Sequence, residues 1–137
     1  MTTSLDARLL NRDVPDALRG ILLDRPWDLG SLLALQLPVG VVEVEPLAWQ
    51  LDLPWWRVGD EWFVVSPNQV RDERHRYAAQ WARTMDADLD VPIHVRRTGR
   101  GPVILDGVHR LLRASVEGRR SLLVRWVRGS DLPRIYV

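Results

Sequence analysis

The stretch Val103 to Val127 constrains this chain most, because it reads as strand, tight turn, helix and strand in immediate succession. Val103-Ile104-Leu105 is an apolar run of strand length and Asp106-Gly107 a turn pair. Val108 to Glu117 is a helix closed by Gly118 as its C′ glycine, and Leu122 to Val127 is the next strand. A chain built on this unit lays a helix across a sheet. The turn also has a chemical property. The first N–H groups of a helix lack intrahelical partners and the helix dipole adds partial positive charge there, so an anion is favoured before any side chain acts. Gly107 permits close backbone approach, and His109 and Arg110 add donors in the first turn. Arginine there runs against the dipole preference, which points to an anion rather than helix stability as its reason for being there. A purely structural account is open beside this one. Asp106 then serves as N-cap, His109 as a packed histidine, and Arg110 as the ionic partner of Asp106 or Glu43.

Along the rest of the chain, residues 5–36 read as helix in two pieces, interrupted by Pro15 and Gly20, with Asp28 as cap of the second. Val41 to Glu45 alternates as a strand, which Leu47, Trp49, Leu51 and Leu53 extend on one face until Pro54. A hairpin turns at Arg57 to Glu61 into Trp62-Phe63-Val64-Val65. Ser66-Pro67 opens a helix expected over about 68–85, with Val70, Tyr77, Trp81 and Met85 on one face. Ile93 to Arg96 is a strand, and Thr98 to Gly101 a tight turn into the unit described first. The tail from Asp131 docks or frays. The expected class is therefore α/β in the broad sense (α+β). Residues 1–37 form an N-terminal helical extension and 38–137 a mixed-sheet domain.

Composition narrows the chemistry. The 137 residues carry a net charge of +1, so no global basic field points to nucleic acid. The absence of cysteine excludes thiolate catalysis and cysteine-based metal sites. All basic residues are arginine, which removes lysine nucleophiles and suggests a GC-rich bacterial genome. The start has no basic and apolar signal-peptide pattern, and no apolar run reaches the roughly 18–20 residues that span a bilayer, so a cytoplasmic location without membrane contact is expected. The three histidines lack metal-ligand spacing. Seven tryptophans are many for this length, and Trp49, Trp55, Trp56 and Trp62 lie close together, as core packing or as a surface for a protein partner.

The run Val103-Ile104-Leu105-Asp106-Gly107-Val108-His109-Arg110-Leu111-Leu112-Arg113-Ala114, with Gly118 and its following strand, resembles the signature of the ParB-like N-terminal domain of the ParB/sulfiredoxin superfamily. Ser66-Pro67-Asn68-Gln69-Val70 and Pro92-Ile93-His94-Val95 are similar to flanking elements of such domains, and the likeness covers roughly residues 40–128. It implies a sulfiredoxin-like mixed sheet and a helix N-terminus that holds nucleotide phosphates, with ATP, ADP or CTP as ligand and Mg²⁺ as companion. Carried over onto Asp106-Gly107-Val108-His109-Arg110, the likeness implies that Gly107, His109 and Arg110 contact phosphate and that Asp106 orients the turn or approaches a metal; Arg96, at a strand end beside the signature, is a further candidate ligand by its position. Val108 stands where sulfiredoxins have their catalytic cysteine, which argues against that activity. The chain ends soon after the signature's strand, without the DNA-binding part of partition proteins. The free serine kinases share the Asp-Gly-x-His-Arg pattern and need an acidic base, for which Glu43 and Glu45 are the candidates. Three readings follow: a nucleotide-binding domain with phosphotransferase or NTP hydrolase activity; a non-catalytic module for nucleic acid or a protein partner; and a ParB-like nuclease, which needs a carboxylate cluster for metal.

Overall fold

The computed structural model describes residues 3–5 and 14–137. It is a mixed α+β structure built on a four-stranded sheet. The sheet contains β3 (Val39–Glu43), β6 (Ile93–Thr98), β7 (Gly101–Asp106) and β8 (Ser121–Val127), in the order β3-β8-β6-β7. β6 and β8 run parallel, while β3–β8 and β6–β7 are antiparallel. Two small antiparallel pairs flank it: β1 (Thr3–Leu5) with β2 (Trp27–Asp28), and β4 (Trp56–Val58) with β5 (Glu61–Val65). The helices are α1 (Leu29–Ala34), α2 (Pro67–Asp72), α3 (Ala78–Met85) and α4 (Val108–Val116). The unit read from Val103 to Val127 thus forms as β7, α4 and β8. The apolar spacing of α4 buries Leu111, Leu112 and Ala114 completely against Ile93, Val95 and Val124 of the sheet. Truncating Leu111 or Leu112 to alanine in such a place costs about 2–5 kcal/mol.

Two local expectations are corrected. Residues Glu45–Asp52 form a 3-10 helix, not a continuation of β3. Pro46 suits a helix start, and Val44, Leu47, Gln50 and Leu53, all buried, recur every third residue, the repeat of a 3-10 helix. Leu47, Trp49, Leu51 and Leu53 alternate at the strand period, and the three-residue repeat shows only in burial, through the fully buried Gln50 between them. The helix expected over 68–85 is two helices, α2 and α3, separated at Glu73–Tyr77. The run Asp72 to Arg76 has no apolar side chain to bury, and Tyr77 restarts the helix where Trp81 can pack on the core. In the N-terminal extension, the expected first helical piece falls largely on 6–13, outside the described residues. Beyond it, only Asp16–Leu18 and α1 are helical, the latter capped by Asp28 as expected.

The described part of the extension packs on the sheet domain. Leu18 and Ile21 join Leu53, Phe63 and Val103 in one apolar cluster; Leu23, Trp27 and Leu32 join Val127 and Ile135 in another. The C-terminal tail docks there too, through Asp28 N–H to the Ile135 carbonyl at 2.9 Å and a bridge between Trp27 and Tyr136.

Candidate functional site

β7 ends at Asp106 and α4 starts at Val108, leaving one linking residue, Gly107, at φ +121°. A side chain does not fit at that position without displacing Ile93: a Cβ there would stand 2.5 Å from Ile93 Cγ2 and 2.8 Å from Ile93 Cβ. The glycine therefore lets the turn sit directly on β6. One consequence is that no side chain caps α4. Its first intrahelical bond runs from Leu111 N–H to the Gly107 carbonyl at 3.0 Å, so the N–H groups of Val108, His109 and Arg110 precede the ladder. They open on a cavity of about 250 Å³ lined by Arg83, Ala87 and residues 106–110.

The two side chains expected to grip an anion are occupied. Arg110 Nη2 donates to Asp106 Oδ2 at 3.1 Å, and Nη1 donates to the carbonyls of Val91, at 3.2 Å, and Pro92. The guanidinium thus ties the turn to the segment entering β6. Burial pushes the Asp106 carboxyl up, but a bond to His94 and the Arg110 charge outweigh it and hold it below the usual carboxylate range. The Arg110 contact is the firmer of the two, since His94 Nδ1 stands 3.5 Å from Asp106 Oδ2 and is otherwise without a partner. His109 stacks on Trp56 at 4.1 Å between ring centroids, and its Nε2 lies 2.8 Å from Gln80 Oε1. Gln80 Nε2 donates to the Arg57 carbonyl, which fixes Oε1 toward the histidine and makes His109 Nε2 the donor. Burial, then the charges of Arg83 and Arg110, lower the His109 pKa to about 3, so the ring is neutral at physiological pH. The cation that faces the cavity is Arg83, which has no carboxylate partner among the described residues.

Other expected site residues lie elsewhere. Glu43 ends β3 and Glu45 begins the 3-10 helix, so they do not share a strand face. Both line a cavity with Ser115, Gly118, Arg119 and Arg120, at the C-terminal end of α4. A nine-residue helix separates that end from the turn by about 13 Å. Neither carboxylate can act as base on a group held at the N-terminus. Arg96 points to the extension, where Nη2 donates to the carbonyls of Ile21 at 2.8 Å and Gly20 at 3.3 Å; burial lowers its pKa. The four clustered tryptophans do not form one wall. Trp56 is buried under His109, Trp55 Nε1 bonds the Gln50 carbonyl, Trp49 lies partly buried beneath Arg100, and only Trp62 is exposed.

Among the described residues, no three His, Asp or Glu side chains converge to hold a metal ion. Asp106 is the only carboxylate at the turn and is already engaged by Arg110, so these residues fit a Mg²⁺ ion poorly. No helix among the described residues is long and apolar enough to cross a membrane. Sequence reasoning missed Gln80, Arg83 and His94. Gln80 and Arg83 share a face of α3 at i, i+3 spacing, but Gln80 meets His109 29 positions away, a contact set by helix packing. Comparison with known protein families, curated proteins and solved structures finds no match to this chain. The resemblance to ParB-like domains rests on the motif residues alone.

Proposed function

We propose that this chain is a phosphate-binding module whose ligand is a nucleotide such as ATP, ADP or CTP, held at the start of α4. The observation that carries this reading is the uncapped N-terminus of α4 opening on one cavity together with Arg83, which has no carboxylate partner among the described residues. In it the N–H groups of residues 108–110 and the Arg83 guanidinium hold the phosphate, while Arg110 and His109 hold the turn. Binding is favoured over phosphotransfer or hydrolysis because Glu43 and Glu45 sit at the far end of α4. The nuclease reading has no carboxylate cluster among the described residues to support it. Nucleic acid and protein partners have no comparable geometric support.

Thermal denaturation with ATP, ADP, CTP and GTP, each with and without Mg²⁺, tests the proposal. At a ligand concentration about 100 times Kd, stabilisation of about 2.7 kcal/mol is expected. Arg83→Ala removes most of that gain while leaving the unliganded Tm nearly unchanged. No shift at millimolar nucleotide, with or without Mg²⁺, refutes it.

A further inference from the structure

A second cavity, of about 310 Å³, lies between the β4–β5 hairpin and the start of α3. Arg57, Arg76 and Arg83 line it, and no carboxylate does. The cavity at the α4 turn differs in containing Asp106. Arg76 is paired with Glu73 at 3.3 Å, whereas Arg57 and Arg83 have no carboxylate partner among the described residues. Arg57 rests over the Trp62 ring at 5.1 Å and Arg76 over Tyr77 at 5.3 Å. Guanidinium groups placed on aromatic faces lose less freedom when they bind and keep their N–H edges for a ligand. Val58, Tyr77, Ala78 and Ala79 supply an apolar wall beside these charges. Gln80 lines this cavity and is bonded to His109 of the other, and Arg83 lines both.

We infer that this cleft is a second anion site, which takes a small organic anion: one phosphate or carboxylate on a compact apolar body. Arg57 and Arg83 bind the anionic group through their forked N–H donors. The apolar wall selects ligands that bury a ring or short chain over bare inorganic anions. The site shares Arg83 with the α4 cavity but takes Arg57 and its apolar wall from outside it, and it does not require the α4 turn to bind nucleotide.

The test is a titration of ¹⁵N-labelled protein, following backbone amides, with phenyl phosphate, benzoate and inorganic phosphate as separate probes. Phenyl phosphate is expected to shift Gly59, Ala78 and Ala79 saturably and more tightly than inorganic phosphate does. Arg57→Ala weakens that binding about tenfold and leaves any phosphate-induced shifts of Val108, His109 and Arg110 unchanged. Benzoate in place of phenyl phosphate tells whether the site accepts a carboxylate as well. Absence of saturable shifts at millimolar phenyl phosphate overturns the inference. So does equal affinity for phenyl phosphate and inorganic phosphate, or full affinity in both Arg57→Ala and Arg57→Gln. Shifts confined to residues 108–110 would support the α4 site while refuting this one.

Discussion

Among the described residues two α-helices begin one residue after a strand, and they begin in opposite ways. Between β5 and α2 stands Ser66. Its hydroxyl accepts from Gln69 N–H at 3.2 Å, while Gln69 Oε1 accepts from Ser66 N–H at 2.8 Å, a closed capping box. Between β7 and α4 stands Gly107, with no cap at all. The contact with Ile93 explains the difference: no residue with a Cβ fits at 107 without displacing Ile93, so no capping side chain stands there. Close packing of the turn on β6 leaves α4 open, and an open helix end suits an anion.

Gly107→Ala breaks this comparison most severely. The new Cβ meets Ile93 at a φ that L residues rarely adopt, and overpacking and backbone strain together cost about 2–5 kcal/mol, read by urea denaturation. Unchanged stability would show that the turn is not pressed on β6. Acid is expected to act next. His109 is held neutral in the folded state, so the unfolded chain takes up a proton first, between about pH 6.5 and 3. Stability therefore falls as pH is lowered through that window, with a slope approaching about 1.4 kcal/mol per pH unit. Asp106, also depressed, adds loss in the same direction below about pH 4. A His109→Phe variant with the same slope between pH 6.5 and 5 as the parent protein would remove the histidine from this account.

Arg110→Ala frees Asp106 and two carbonyls and is expected to cost about 1–3 kcal/mol. Its signature is lost stability with nucleotide affinity largely retained, the reverse of Arg83→Ala; a selective loss of affinity, measured by calorimetry on folded protein, would return Arg110 to the ligand. Ser66→Ala has the smallest effect, about 1 kcal/mol with no change in anion binding, since that helix end is sealed by its own side chains.

What the sequence made legible was mostly local. β6, β7, α4 and β8 follow from apolar runs and the Asp106-Gly107 turn, whose signals lie within a few residues of one another. The 3-10 helix at Glu45–Asp52 was not readable, because its leucines and tryptophan alternate at the strand period and its three-residue repeat runs through a buried polar residue, Gln50. The site divides similarly. Gly107 and the open helix end were readable, and pairing of Arg110 with Asp106 was one of the open alternatives. The neutrality of His109 was not readable, because Trp56, Gln80 and Arg83 reach it from distant parts of the chain. Glu43 and Glu45 were placed by order along the chain, and order does not reveal which end of α4 they meet.

Gln50, on the 3-10 helix, carries a further consequence. It is fully buried, and its amide accepts from Ile104 N–H at 2.8 Å and donates to the Pro102 carbonyl at 3.0 Å. One side chain thus imitates the peptide unit of a neighbouring strand along β7, an outermost strand of the sheet. Self-templating from that border is hindered, because a visiting strand would find the Pro102 carbonyl and the Ile104 N–H already taken. If the protein is driven to assemble into fibrils, the opposite border at β3, with Val39 and Val41 exposed, is where growth would start.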